Sequence, residues 1–133
     1  MSHNSTNSSQ LTVINRDLLK KCLELIAKRF GGKVSATFSD YYGKEVSSWM
    51  GEKIVGAIKT PSVPRGIGMI IRNGRLEFVG DNYGVVKAYI ALIAEIESIY
   101  RKLGLILALS QEGYEVDIQE IAIGTLISGV KNE

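Results

Sequence analysis

Residues 67–84 read IGMIIRNGRLEFVGDNYG, and the Asn73-Gly74 pair at their centre decides the architecture. Asn and Gly both tolerate positive φ, so the pair fits a two-residue type I′ turn, whose twist matches that of two antiparallel strands. The arms on either side are rich in Ile, Met, Leu, Phe and Val, and a β-hairpin over about 67–80 follows. Directly behind it, residues 85–110 carry apolar side chains at Val86, Tyr89, Ile90, Ile93, Ile96, Ile99, Tyr100, Leu103 and Leu107. That spacing predicts one long helix whose apolar face is wide enough to cover a sheet.

Upstream, Leu19, Cys22, Leu23, Ile26 and Phe30 fall at helical spacing, which predicts a helix over 17–30. Asn15 or Asp17 can cap its start and Gly31-Gly32 can end it. Residues 33–39 alternate, with Val34, Ala36 and Phe38 against Ser35, Thr37 and Ser39, as in a half-buried strand. Residues 40–52 show no clean period and read as a loop or irregular hairpin. A strand is expected over 53–60, and Pro61 and Pro64 make 60–65 a connection, because proline cannot donate to a ladder. Residues 1–10 are nearly all polar and predict a flexible tail. Further short strands are expected at 11–14, 114–118 and 125–130. The sum is a single α+β domain over 11–133, a mostly antiparallel sheet with two helices packed on one face.

Composition narrows the function classes. With 133 residues, 45% of them hydrophobic and 23% charged, the chain has the makeup of one globular domain. Lys87, Glu95, Glu97, Arg101 and Lys102 interrupt the most apolar helix, so no membrane span is expected. The opening MSHNSTNSSQ lacks the basic and apolar regions of a secretory signal, and Cys22 is the only cysteine, which together predict a reducing, cytoplasmic setting. Charge is uneven: residues 1–75 hold twelve Lys or Arg against five Asp or Glu, and residues 76–133 hold four against nine.

Catalytic residue types are sparse. Nucleophilic catalysis pairs Cys or Ser with a base, yet the one histidine, His3, falls in the polar N-terminal stretch, and Cys22 sits on the apolar stripe of the first helix. A zinc site takes about four Cys or His ligands, and the chain has two such residues in all. Glu112, Glu115, Asp117 and Glu120 lack the spacing of a calcium loop, Gly66-Ile67-Gly68 lacks the third glycine of a dinucleotide fingerprint, and Gly43-Lys44 lacks the upstream glycine of a P-loop. No cofactor and no metal are expected.

The leading expectation is a non-enzymatic binding or regulatory protein that acts through protein contacts as a homodimer, with Ile93 and Ile99 on the apolar face of the second helix at the interface. Nucleic acid is the alternative partner. Lys33, Tyr41, Tyr42, Lys44, Trp49, Lys53, Lys59, Arg65, Arg72 and Arg75 combine cations for phosphates with rings for bases, if the fold brings them together. A second alternative is a small carboxylate- or metal-dependent enzyme using Asp81, Glu115 or Asp117 with a Tyr or Lys partner.

Several segments also carry a family resemblance. The opening Met1-Ser2-His3-Asn4-Ser5-Thr6, the helix at 16–30, Arg72-Asn73-Gly74 followed by 76–79, Asp81 and Gly84, then Gly113-Tyr114-Glu115-Val116 and Gly124-Thr125 fall in one order. In that order they resemble the proteins known as conserved chloroplast reading frame thirty-five, small proteins of plastids, cyanobacteria and other prokaryotes. Where that family has a tryptophan-rich stretch this chain has Asp81-Asn82-Tyr83-Gly84, and residues 61–65 are peculiar to it. The resemblance implies a soluble α+β protein of unknown biochemical role, with no cofactor or site residue to carry across. A divergent archaeal or viral copy is compatible with the Ile-, Lys- and Glu-containing makeup and its three Gln.

Overall fold

The computed structural model describes residues 4–9, 11 and 15–111, with backbone alone for the last two. It is an α+β fold. In chain order the elements are β1 (Asn4–Ser8), α1 (Arg16–Phe30), β2 (Lys33–Ser35), β3 (Phe38–Ser39), β4 (Glu45–Val46), β5 (Ser48–Trp49), β6 (Glu52–Lys53), β7 (Gly56–Thr60), β8 (Val63–Arg72), β9 (Arg75–Asp81) and α2 (Val86–Gln111). Five strands form one antiparallel sheet in the order β1-β9-β8-β7-β2. Two further two-stranded ribbons, β3 with β4 and β5 with β6, stand beside it.

The central hairpin forms as its turn requires. Arg72 pairs with Arg75, so two residues make the turn, and Asn73 and Gly74 take φ of 52° and 74°. Helix α1 starts where Asn15 accepts a hydrogen bond from the Leu18 backbone N–H at 3.0 Å and ends at Gly31 in the left-handed conformation. Its stripe of Leu19, Cys22, Leu23 and Ile26 packs with Tyr89, Ile96, Leu103 and Ile106 of α2 over Ile58, Ile67, Met69, Leu76 and Phe78 of the sheet. Both helices therefore cover one face. Alternate residues of the same strands, Ala57, Ile70 and Val79, point the other way and meet Phe38 and Ile54, with Val46 and Trp49 at the edge. The two ribbons are a lid on that second core.

Four expectations are corrected. The tail over 1–10 contains strand β1, whose five residues pair in register from Asn4 with Asp81 to Ser8 with Glu77. A polar sequence can do this because the ladder uses backbone groups, and here β9 supplies them. The strand over 33–39 breaks at Ala36: Val34 stays on the helix side, paired with Ile58, while Phe38 swings under the second face. The strand at 53–60 splits into Lys53, which closes β6, and β7. Pro64 lies inside strand β8, but Ile67 pairs with Ile58 and Val63 with Thr60, so Pro64, Arg65 and Gly66 bulge opposite Lys59. The ladder with β9 begins only at Gly68, so no partner asks Pro64 for an N–H. The strands expected at 114–118 and 125–130 lie outside the described residues, as does all but Leu11 of the one at 11–14.

Candidate nucleic-acid interface

The sheet face opposite the helices gathers the sequence's candidate residues from separate stretches of chain. Lys59 points to that face, since its Nζ donates to Ser39 at 3.1 Å and pairs with Glu45 at 2.8 Å, both on the first ribbon. Lys33 is directly opposite Lys59 in the ladder and exposed, so it shares the face. Tyr41, Tyr42 and Lys44 occupy the turn between β3 and β4. Trp49 and Lys53 sit on β5 and β6, and Trp49 Nε1 donates to Thr6 Oγ1 of β1 at 3.2 Å. Arg72 reaches Met50 in the β5–β6 turn, its Nη1 lying 3.1 Å from Sδ, and Arg75 is its ladder partner. Apart from Lys53, which stands at the margin and lines a cleft with Arg16 of α1 and Ile71, these residues belong to one side of the molecule.

They fall into two groups, because Arg65 and Arg72 stand at opposite ends of β8, roughly 23 Å apart at the rise of an extended strand. At the hairpin end are Trp49, Lys53, Arg72 and Arg75. At the far end the β3–β4 turn brings Tyr41 against Arg65, a candidate from the sequence, and against Tyr83, which is absent from the candidate set. Tyr83, in the turn before α2, meets Tyr41 edge to face at 5.6 Å, and the Arg65 guanidinium lies 5.4 Å over the Tyr41 ring. Tyr42 is edge to face with Tyr41 at 5.2 Å, and Arg65 Nη1 donates to the Tyr83 carbonyl at 3.5 Å. Tyr83 has a sequence signal, the aromatic in Asp81-Asn82-Tyr83-Gly84. Arg65 is singled out by its charge, but its place beside Tyr41 follows from the bulge.

Four acidic side chains on this face are engaged, while Glu52, exposed on β6, forms no ion pair within 4.0 Å among the described residues. Glu45 accepts from Thr37 Oγ1 at 2.7 Å, from Lys59 and from Ser39, and these bonds, the Lys59 one foremost, hold its carboxyl near 2, about the bottom of the carboxylate range. Glu77 pairs with Arg72 at 3.6 Å. One oxygen of Asp40 takes the backbone N–H groups of Tyr42 and Lys44, both at 2.9 Å, which fixes the ribbon turn. Asp81 is wholly buried and accepts from the Tyr83 N–H at 2.9 Å. By contrast, Lys33, Lys44, Lys53, Arg65 and Arg75 form no ion pair within 4.0 Å among the described residues.

Catalytic alternatives gain little from this geometry. Ser39, Lys59 and Glu45 are within hydrogen-bond reach of one another, but an ammonium that donates to both partners has no lone pair with which to take the serine proton. Burial pushes the Cys22 thiol up to about 12, and its sulfur donates to the Ile96 carbonyl at 3.4 Å. Glu115 and Asp117 lie outside the described residues, among which no group of three or more His, Cys, Asp or Glu is placed to hold a metal ion. Ile93 and Ile99, expected at a dimer interface, are 8% and 4% exposed and belong to the chain's own core. The outward apolar residues of α2 are Val86, Ile90 and Leu105. No described helix is long and apolar enough to cross a membrane.

No family model matches the sequence, and neither a curated protein nor a solved structure matches the chain.

Proposed function

We propose that the chain is a non-enzymatic binding protein of the cytoplasm that takes single-stranded nucleic acid on the sheet face opposite its helices. One observation carries the reading: cationic and aromatic residues scattered over 33–75 gather on one face, where Glu45 and Glu77 pair with Lys59 and Arg72 and Asp40 and Asp81 hold two turns. Five cations are left for phosphates. Counterion release at a single strand then predicts a log–log salt slope of about −3 to −4, at roughly −0.7 per phosphate neutralised. Titrating an oligonucleotide into the protein and following Trp49 fluorescence at stepped salt tests this. A flat response and unchanged mobility at low salt overturn it.

A second reading, association of two copies, is favoured by the exposed Val86, Ile90 and Leu105 on α2. Sedimentation at micromolar concentration decides it, a strict monomer removing the dimer. The family resemblance belongs to the same proposal, supported by the first helix, the Asn-Gly hairpin and the Asp81–Gly84 turn falling in the order the resemblance requires.

A further inference from the structure

We propose that Tyr41, Tyr42 and Tyr83, with Arg65, form a seat for one unpaired nucleobase, so that the protein takes single strands in preference to duplex. The inference rests on the nucleic-acid reading above and names the place where a base, rather than a phosphate, is bound. Three segments distant in sequence build the seat: the β3–β4 turn, the bulge at the start of β8, and the turn between β9 and α2. Tyr42 and Tyr83 meet Tyr41 at interplanar angles of 90° and 86°. Tyr42 and Tyr83 are 65% and 57% exposed, and among the described residues none of the three tyrosines belongs to either apolar core.

Charge and rigidity select the occupant. Arg65 places a guanidinium over Tyr41 within the cluster, and Lys44 follows two residues after Tyr42, so an aromatic ligand that carries phosphate fits better than a neutral apolar one. The ribbon carrying Tyr41 and Tyr42 is held by the Glu45–Lys59 pair and by Asp40, and Tyr83 by Asp81 and Arg65. The rings are therefore positioned before a ligand arrives, which lowers the ordering cost of binding. In a duplex the base faces are covered by their neighbours. An unstacked base can lay its face on a ring.

The test compares three probes: a single-stranded oligonucleotide, its duplex, and a strand of equal length in which abasic residues replace the bases. Each is titrated into the wild-type chain, the Tyr42→Ala/Tyr83→Ala variant and the Tyr42→Phe/Tyr83→Phe variant, with circular dichroism to confirm the fold. Loss of base stacking costs about ten-fold per base in affinity, so the wild type should hold the intact strand roughly ten-fold tighter than the abasic one. The alanine pair should bind both alike with the salt slope unchanged, and the phenylalanine pair should keep the preference. Equal affinity of the wild type for intact and abasic strands, or a preference that survives in the alanine pair, overturns the base seat while leaving phosphate binding in place. No binding to any probe at low salt overturns both.

Discussion

Gly68 lies in the middle of β8 directly beneath Phe38, and this contact holds the first ribbon on the sheet. A Cβ added at Gly68 would stand 2.7 Å from Phe38 Cδ1 and 3.1 Å from Ile54 Cδ1. Carbon atoms in favourable contact sit about 3.5–4.0 Å apart, so Gly68→Ala must move the ring by about 1 Å, and overpacking of this kind costs about 1–3 kcal/mol. Phe38→Ala alone empties a fully buried site and should cost about 3–5 kcal/mol. The double substitution is the informative one, because the new methyl then occupies part of the space the ring has left. It should be no less stable than Phe38→Ala, which gives a coupling of about 1–3 kcal/mol. Urea unfolding followed both by far-ultraviolet circular dichroism and by Trp49 fluorescence measures all three, with Phe38→Leu in reserve if the alanine variant does not fold. If the two single effects add within about 0.5 kcal/mol, Phe38 does not rest on Gly68 and the placement of the ribbon is refuted.

Glu45 should give the chain a distinct acid response. Its folded-state value near 2 lies below the ordinary 4.5, so its stabilisation is complete above about pH 4.5 and is lost as the pH falls towards 2. Glu45→Gln should flatten the unfolding profile across that window, and parallel profiles would count against the Lys59 and hydroxyl bonds as its cause, although solvent screening of a half-exposed carboxylate keeps the effect modest. Cys22, buried with its thiol pushed up to about 12, should resist iodoacetamide at pH 8 until the chain is unfolded in denaturant, and rapid labelling of the native chain would contradict its place in the core. Asn15→Ala removes the acceptor of the Leu18 N–H and should lower stability by about 1 kcal/mol, with Asn15→Asp restoring most of it in a thermal melt.

What the sequence makes legible follows a physical boundary. The first helix, the Asn-Gly hairpin and the long second helix announce themselves because each buries a periodic apolar stripe and each end is marked by a residue whose backbone preference is local. The ribbons do not. Strands of two residues, such as Phe38–Ser39 and Glu45–Val46, are too short to show a period, and their position depends on Phe38 finding the space above Gly68. Asn4–Ser8 is illegible for another reason: a strand at the sheet margin, held by its backbone to β9, has no need of an apolar side chain. The candidate interface divides in the same way. Residue types alone single out Lys33, Trp49, Arg65 and the arginines of the hairpin, whereas Tyr83 joins the set, and Arg65 becomes a partner of Tyr41, only through a turn and a bulge that meet in space. Ile93 and Ile99 mark the reverse error, since periodicity identifies an apolar face but not whether the chain itself or a neighbour covers it.

The sheet is covered unequally, by two long helices on one side and by two ribbons of two-residue strands on the other, and this sets an order of opening. Lifting the ribbons exposes a handful of apolar side chains around Phe38 and Ile54, while lifting the helices exposes the larger core around Tyr89 and Ile96. The amides of residues 38–53 should then exchange with solvent through brief local excursions that leave β7, β8 and β9 paired, and those of the central strands only when the whole chain opens. Binding surface and scaffold are separate cooperative units. A ligand held on the ribbons would slow exchange there first, and sequence change in residues 40–52 can retune that surface with little cost to the stability of the helix-covered core.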